Sequence, residues 1–364
     1  MVQSYDVGSL PFPGNPDALI RGAKSFEIGK KDDSAVFFEK SVVKVFADKL
    51  AVGVDIPNFP QFRDMNEMFL GVIDGVERPK EGYVETGKLT LRVGKGCLPE
   101  MSAIKKNARV LSEQFRKPFS MKFCVTGPYT LASFFPYHTS ETFKRLGEVI
   151  SRIVEANLFC EKSGSVGFVS VDEPLFGLVD DPLIDHGSSG REALLEAWND
   201  ILVAAKTRKA MTCLHLHNTS DELFWAIEPL RIIESHVDDP LYRMDETKKR
   251  LERENKVLKA SVCMTDFDRL IRENLKLSSL GSNSLALDEA VAEVWRKLRK
   301  NMIVPEVFID SPDVMKKRAE RIISKFGQER VPYVGPECGL RGFPTYESAL
   351  ECLERVATLG RDLA

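Results

Sequence analysis

The chain has 364 residues, 43% of them hydrophobic and 29% charged, an ordinary globular composition that excludes a disordered or fibrous polymer. A formal net charge of −3 excludes a broad nucleic-acid footprint, which needs a clear basic excess. Seven cysteines without a short-range framework read as a reducing compartment, in which any special cysteine serves chemistry or a metal. No cationic start precedes an apolar core, and no apolar run approaches the ~20 residues of a membrane span. The expectation is a cytoplasmic protein with neither membrane nor nucleic acid as partner.

In chain order, residues 35–51 carry apolar side chains at helical spacing behind three candidate N-caps, Asp32, Asp33 and Ser34. Residues 121–126 (MKFCVT) read as a buried strand ended by Gly127-Pro128. A helix is expected over about 140–163, closed by Gly164. There follow a strand at 167–172, a helix at about 190–207, a strand at 211–216, a helix around 220–228, and strands at 231–234, 257–263 and 331–334. The stretch 345–359 is an amphipathic helix, and 269–302 reads as an inserted, partly helical excursion before 303–309.

Strands alternating with helices imply a parallel sheet, either a closed (β/α)8 barrel or a doubly wound open sheet. The opening DVGSLPFPGN holds no Gly-x-Gly-x-x-Gly fingerprint, which weakens a dinucleotide fold. Ser9, Thr126, Asp172, His215, Glu234 and Cys338 all fall at or just after strand ends, and polar residues gathered from many strand ends are the barrel pattern. The reading is α/β, a single (β/α)8 TIM barrel over residues 1–364 with the insertion at 269–302.

Two of the five histidines stand in CLHLHN. His215 and His217, at i and i+2, point to one face of a strand and can share one metal ion; otherwise one is a hydrogen-bonded wall residue. Glu234 ends the apolar run RIIE, where a buried carboxylate needs a metal or a cation, the plain alternatives being a salt bridge or a helix cap. Cys338 follows VPYVGPE, where Gly335, Pro336 and Gly339 force a turn that holds the thiol at the mouth, unless it is a passive buried cysteine. His, Glu and Cys from three strand ends make a zinc site with N, O and S ligands and an open position. Cys213 is a fallback ligand. Asp172-Glu173-Pro174 offers two carboxylates to a substrate amine, or Asp172 caps the next helix. Residues 125–135 supply backbone donors and aromatic rings, and Gly8 lets a ligand approach the backbone closely.

These segments, in this order, resemble the C-terminal catalytic barrel of the cobalamin-independent methionine synthase family. Val7-Gly8-Ser9-Leu10-Pro11 is similar to its Ile-Gly-Ser-Phe-Pro, and Thr126-Gly127-Pro128-Tyr129-Thr130 to its Thr-Gly-Pro-Val-Thr. Asp172-Glu173-Pro174 matches its Asp-Glu-Pro, Ile233-Glu234 its zinc-binding Glu, and Gly335-Pro336-Glu337-Cys338-Gly339-Leu340 its Asn-Pro-Asp-Cys-Gly-Leu. The resemblance runs from residue 5 to 356 and implies a barrel of the methionine synthase or uroporphyrinogen decarboxylase-like type. It further implies Zn2+ on His215, His217, Glu234 and Cys338, and methyl transfer to a zinc-activated thiol, homocysteine giving methionine. Gly8, Ser9, Gln61, Asp172 and Glu173 would then face the substrate, and Thr126, Tyr129, Phe134 and Asp310 the methyl donor.

The sequence departs from the family in three places. His217 replaces the second residue of a His-x-Cys pair. Gln61 stands where a homocysteine-binding Glu is expected. No His follows the seventh strand, whether that strand is aligned to ASVCMTD or to VFIDSP; Thr265, Asp266 or Asp310 stands there, and Phe134 replaces a Trp beside the pterin. The N-terminal barrel of full-length enzymes is not expected. These departures favour a methyl-corrinoid, free or on a corrinoid protein, over a methyl-tetrahydropterin as donor. The alternatives are a methylcobamide:coenzyme M-type thiol methyltransferase and a non-catalytic metabolite-binding barrel.

Overall fold

The computed structural model describes residues 2–80, 82–178, 180–277 and 284–363. Its strands are β1 (Gln3–Ser4), β2 (Ile73–Glu77), β3 (Val84–Leu91), β4 (Phe119–Thr126), β5 (Cys160–Glu161), β6 (Gly164–Glu173), β7 (Met211–Leu216), β8 (Ile232–Glu234), β9 (Val257–Cys263) and β10 (Tyr333–Pro336). Seven of them form a curled parallel sheet in the order β1-β10-β9-β8-β7-β6-β4. The gap between β1 and β4 is spanned by residues 56–59, which bridge Tyr5 to Ile56 and Asn58 to Lys122, both in parallel. The Ile56 amide donates to Ser4 (3.0 Å), and the Lys122 amide to Pro57 (2.9 Å). This segment therefore stands in the second position of an eight-stranded ring. Pro57 and Pro60 have no N–H to donate, which keeps the ladder from becoming continuous.

Helices cover the outside. Asp32 caps Asp33–Ala51 by accepting from the Ala35 amide (2.9 Å), and Thr345 with Ser348 forms a capping box at the start of Tyr346–Asp362. Gly164 does not close a helix as expected. The helix Ser140–Asn157 ends earlier, the chain doubles back through β5, and Gly164 opens β6. A Cβ at Gly164 would lie 2.4 Å from the Phe119 ring, so close packing explains this glycine. Residues 220–228 hold only a 3-10 turn, Leu223–Ala226, and β2 with β3 forms a hairpin that the sequence pattern did not reveal. Helices Phe267–Leu277 and Ser284–Arg299 occupy the expected insertion, whose residues 278–283 lie outside the described ones. The helix that packs on β9 is Pro312–Phe326.

Inside the ring the side chains change character along the axis. One end is plugged by Tyr5, Ile56, Phe168, Cys213, Ile232, Val257 and Tyr333. Above them lies a charged layer of Lys122, Glu234 and Lys259, at most 1% exposed. The carboxyl ends of the strands form the other end, where barrels carry their chemistry. Among the described residues no helix is long and apolar enough to cross a membrane.

Candidate metal centre

Parallel registry aligns Asp172 on β6 with His215 on β7, and His215 with Glu234 on β8. His217 and His236 lie two residues beyond His215 and Glu234, and Cys338 two beyond the end of β10, so the alternation of the strands carries all three toward the mouth. The rings of His215, His217 and His236 are 4.1–6.0 Å apart between centroids, and Cys338 Sγ is 3.5 Å from His217 Nε2. One ligand atom from each of His215, His217, His236 and Cys338 lies within 4.8 Å of every other.

Zinc bonds of about 2.0–2.3 Å at tetrahedral angles separate ligand atoms by roughly 3.3–3.8 Å, so a small closure suffices to grip an ion. The donors also suit it. Both nitrogens of His215 and Nε2 of His236 are buried without a hydrogen-bond partner among the described residues, a costly arrangement that a metal relieves. Burial pushes all three imidazoles down: His215 well below its usual value, His217 to about 3 and His236 to about 4. They are neutral, as ligands must be. Burial pushes the Cys338 thiol up to about 12, so without a cation it stays protonated.

Glu234 is engaged differently. Its Oε2 is 2.9 Å from Lys259 Nζ, and its Oε1 is 3.7 Å from both Lys122 Nζ and His215 Nδ1. Burial alone would raise its pKa, but Lys259 and Lys122, then His215, outweigh burial and hold it well below the carboxylate range. Cys213, the fallback ligand, sits deeper, 3.4 Å from both the Tyr5 hydroxyl and Glu234 Oε1.

The other sequence candidates divide. Ser9 packs against the cysteine turn, its carbonyl accepting from the Leu340 amide (2.8 Å), and bridges to Gln61. Gly8 has φ +140°, and a Cβ there would meet Asn58 and Gln61 at 2.3–2.4 Å, so glycine is required by backbone and space alike. Asp172 is buried among Ser170, Cys124 and Lys122; burial pushes it up to about 7, with Lys122 pulling the other way. Glu173 instead receives the Tyr129 and Thr130 amides and the Trp198 indole at 2.7–3.0 Å. Thr126 donates to the Met65 carbonyl, Tyr129 packs on Phe143 and Phe176, and Phe134 lies against Tyr83. Asp310 pairs with Arg318 (2.5 Å) and accepts from the Met264 amide. The seventh strand of the ring is β9, so Thr265 and Asp266 follow it, and 303–309 contributes only a short 3-10 turn.

Sequence reasoning passed over His236, Lys122 and Lys259. A signal existed for each: Glu234-Ser235-His236 repeats the spacing of His215-Leu216-His217, and both lysines interrupt otherwise apolar strands.

No sequence-family model and no curated relative matches the chain. Solved structures do. A B12-independent methionine synthase from Shewanella sp. W3-18-1, in complex with selenomethionine, aligns at TM-score 0.62 and 13% identity over 100% of this chain and 97% of its own. A protein assigned as a vitamin B12-independent methionine synthase from Listeria monocytogenes aligns at 0.60 and 15% identity, covering 100% and 99%. A methyltransferase from Methanosarcina mazei aligns at 0.58 and 10%, covering 100% and 94%. The barrel resemblance inferred from sequence is thus present in three dimensions, and at these identities it establishes the fold.

Proposed function

We propose that the chain is a zinc-dependent methyltransferase that moves a methyl group onto a small thiol, homocysteine first among the candidates, yielding methionine. The observation that carries this reading is the convergence of three neutral imidazoles and one thiol at the mouth of a barrel shared with methionine synthases. Bound Zn2+ supplies Lewis acidity that keeps a substrate thiol, with an ordinary pKa near ~8.5, deprotonated at neutral pH.

The chain's own residues provide the rest. His215, His217 and Cys338 would hold the ion from two strand ends. Asp172, beside His215 in register, faces an incoming ammonium, whose charge favours the carboxylate form of a group otherwise poised near neutrality. The Gly8-Ser9 backbone, tied to the cysteine turn through Leu340, presents the complementary side to a carboxylate. Gln61 adds an amide there rather than a second acid. In the transfer itself the sulfur lone pair forms the S–CH3 bond as the donor's bond to that carbon breaks, its electron pair remaining with the donor. A corrinoid leaves without needing a proton, which suits a site where Thr265 and Asp266 follow the seventh strand.

The test is methyl transfer by the zinc-loaded chain, with homocysteine and coenzyme M as acceptors and methylcobalamin and methyltetrahydrofolate as donors. Methionine should form by mass spectrometry, and Cys338→Ala should abolish it. A zinc-loaded chain that methylates neither thiol from either donor would overturn the reading and favour a metabolite-binding barrel.

A further inference from the structure

The charged layer beneath the metal cluster is unusual for a barrel interior. Lys259 and Glu234 are 0% exposed and Lys122 is 1% exposed. The Lys259 ammonium donates to Ser261 Oγ at 2.9 Å and to the Pro336 carbonyl at 2.6 Å, and forms an ion pair with Glu234 Oε2 at 2.9 Å. It thereby ties β8 to the strand that carries Cys338. Among the described residues Lys122 Nζ makes no hydrogen bond; it stands 4.6 Å from the Tyr5 ring centroid and 3.7 Å from Glu234. Two sealed cations thus share Glu234 as a close carboxylate, and Lys122 is also influenced by Asp172.

We propose that Lys259 and Lys122 are positioning residues that hold Glu234 out of the metal's coordination sphere, so that His236 takes its place and the ion sits on His215, His217, His236 and Cys338. The proposal rests on the metal reading above and sharpens it. Moving Glu234 onto the ion would strip two buried ammonium groups of their counter-ion, and uncompensated buried charge is among the costliest defects a fold can carry. His236 gives up no hydrogen bond at Nε2, which is buried without a partner among the described residues. The exchange also changes the charge of the centre. Zinc with one thiolate and one carboxylate is formally neutral, whereas zinc with one thiolate and three imidazoles carries one positive charge. The extra charge would favour an anionic sulfur entering as a fifth or exchanged ligand and strengthen the pull on its proton.

Zinc K-edge X-ray absorption on the zinc-loaded chain tests this directly, because imidazole rings leave a multiple-scattering signature that a carboxylate lacks. The expected result is three imidazoles and one sulfur. Glu234→Gln should leave that spectrum unchanged and alter zinc affinity by no more than the about 10–100-fold typical of an outer-shell partner. His236→Ala should lose one imidazole and weaken zinc further, and Lys259→Met should trade an imidazole for a carboxylate oxygen. A wild-type spectrum with two imidazoles and a carboxylate oxygen that disappears in Glu234→Gln would overturn this inference while leaving the zinc enzyme standing. A chain that binds no zinc would overturn both.

Discussion

His217 and His236 tie the stability of the metal-free chain to pH. Their folded pKa values, about 3 and about 4, lie below the ordinary histidine value, so the folded state keeps both neutral. Their contribution is complete above about pH 6.5, where the unfolded imidazole is also neutral, and is lost as pH falls toward those folded values. Between pH 7 and 5 the cost is about 2 kcal/mol for each ring by proton linkage. Urea unfolding of the metal-free His236→Gln variant should therefore show a fall shallower than wild type by that amount, whereas an equal fall would contradict the neutral, half-buried ring. Lys259→Met should lower stability by about 3–5 kcal/mol, the usual cost of breaking one partner out of a buried pair. Stability unchanged in the same assay would mean that the pair is not sealed. The convergence of His215, His217 and Cys338 was legible in the sequence, because they announce themselves by spacing and by turn residues. The role of Glu234 was not legible: whether a buried carboxylate meets a metal or a cation depends on Lys122 and Lys259, which come from strands distant in sequence.

Among the elements, the seam that closes the ring differs from the ladders around it. Residues 56–59 are held by isolated bridges and by a polar knot rather than by a continuous strand. Lys49, 0% exposed, reaches Asp6 (2.5 Å) and the Gly8 and Asn58 carbonyls, while Asp6 also accepts from the Asn58 amide. Lys49→Met would leave Asp6 buried and without its cation, and should destabilise by about 3–5 kcal/mol in denaturant unfolding; a loss under about 1 kcal/mol would show that the hydrogen bonds of the knot suffice without the charge. The same feature explains which strands the sequence revealed. β4, β6, β7 and β9 are largely buried on both faces and stand out as mostly apolar runs, each interrupted by one or more polar residues. The second position is broken by Pro57 and Pro60, and the β2–β3 hairpin is partly exposed and charged, so neither shows as an apolar run. Gly164 misled for a related reason, since a glycine after a helix reads as a cap when its cause is the Phe119 ring.

At the scale of the whole molecule, the barrel is layered along its axis: an apolar plug, a charged layer, then the His/Cys cluster at the carboxyl ends. Phe168 belongs to the plug, where its ring meets that of Tyr333 at 5.6 Å. Phe168→Ala should cost about 3 kcal/mol or more from the cavity it leaves, yet bind zinc as wild type does. Loss of zinc in that variant would show that the plug and the mouth are not independent. The fold class was legible because polar residues recur at successive strand ends. The layering was not, because it depends on registry between strands far apart in the chain. Metal analysis of the purified chain beside its Cys338→Ala variant decides whether the His/Cys cluster binds an ion. About one zinc per chain, lost on removal of the thiol, is the expected result for a site with that ligand set. A wild-type chain that carries no zinc and takes none up on reconstitution would contradict it.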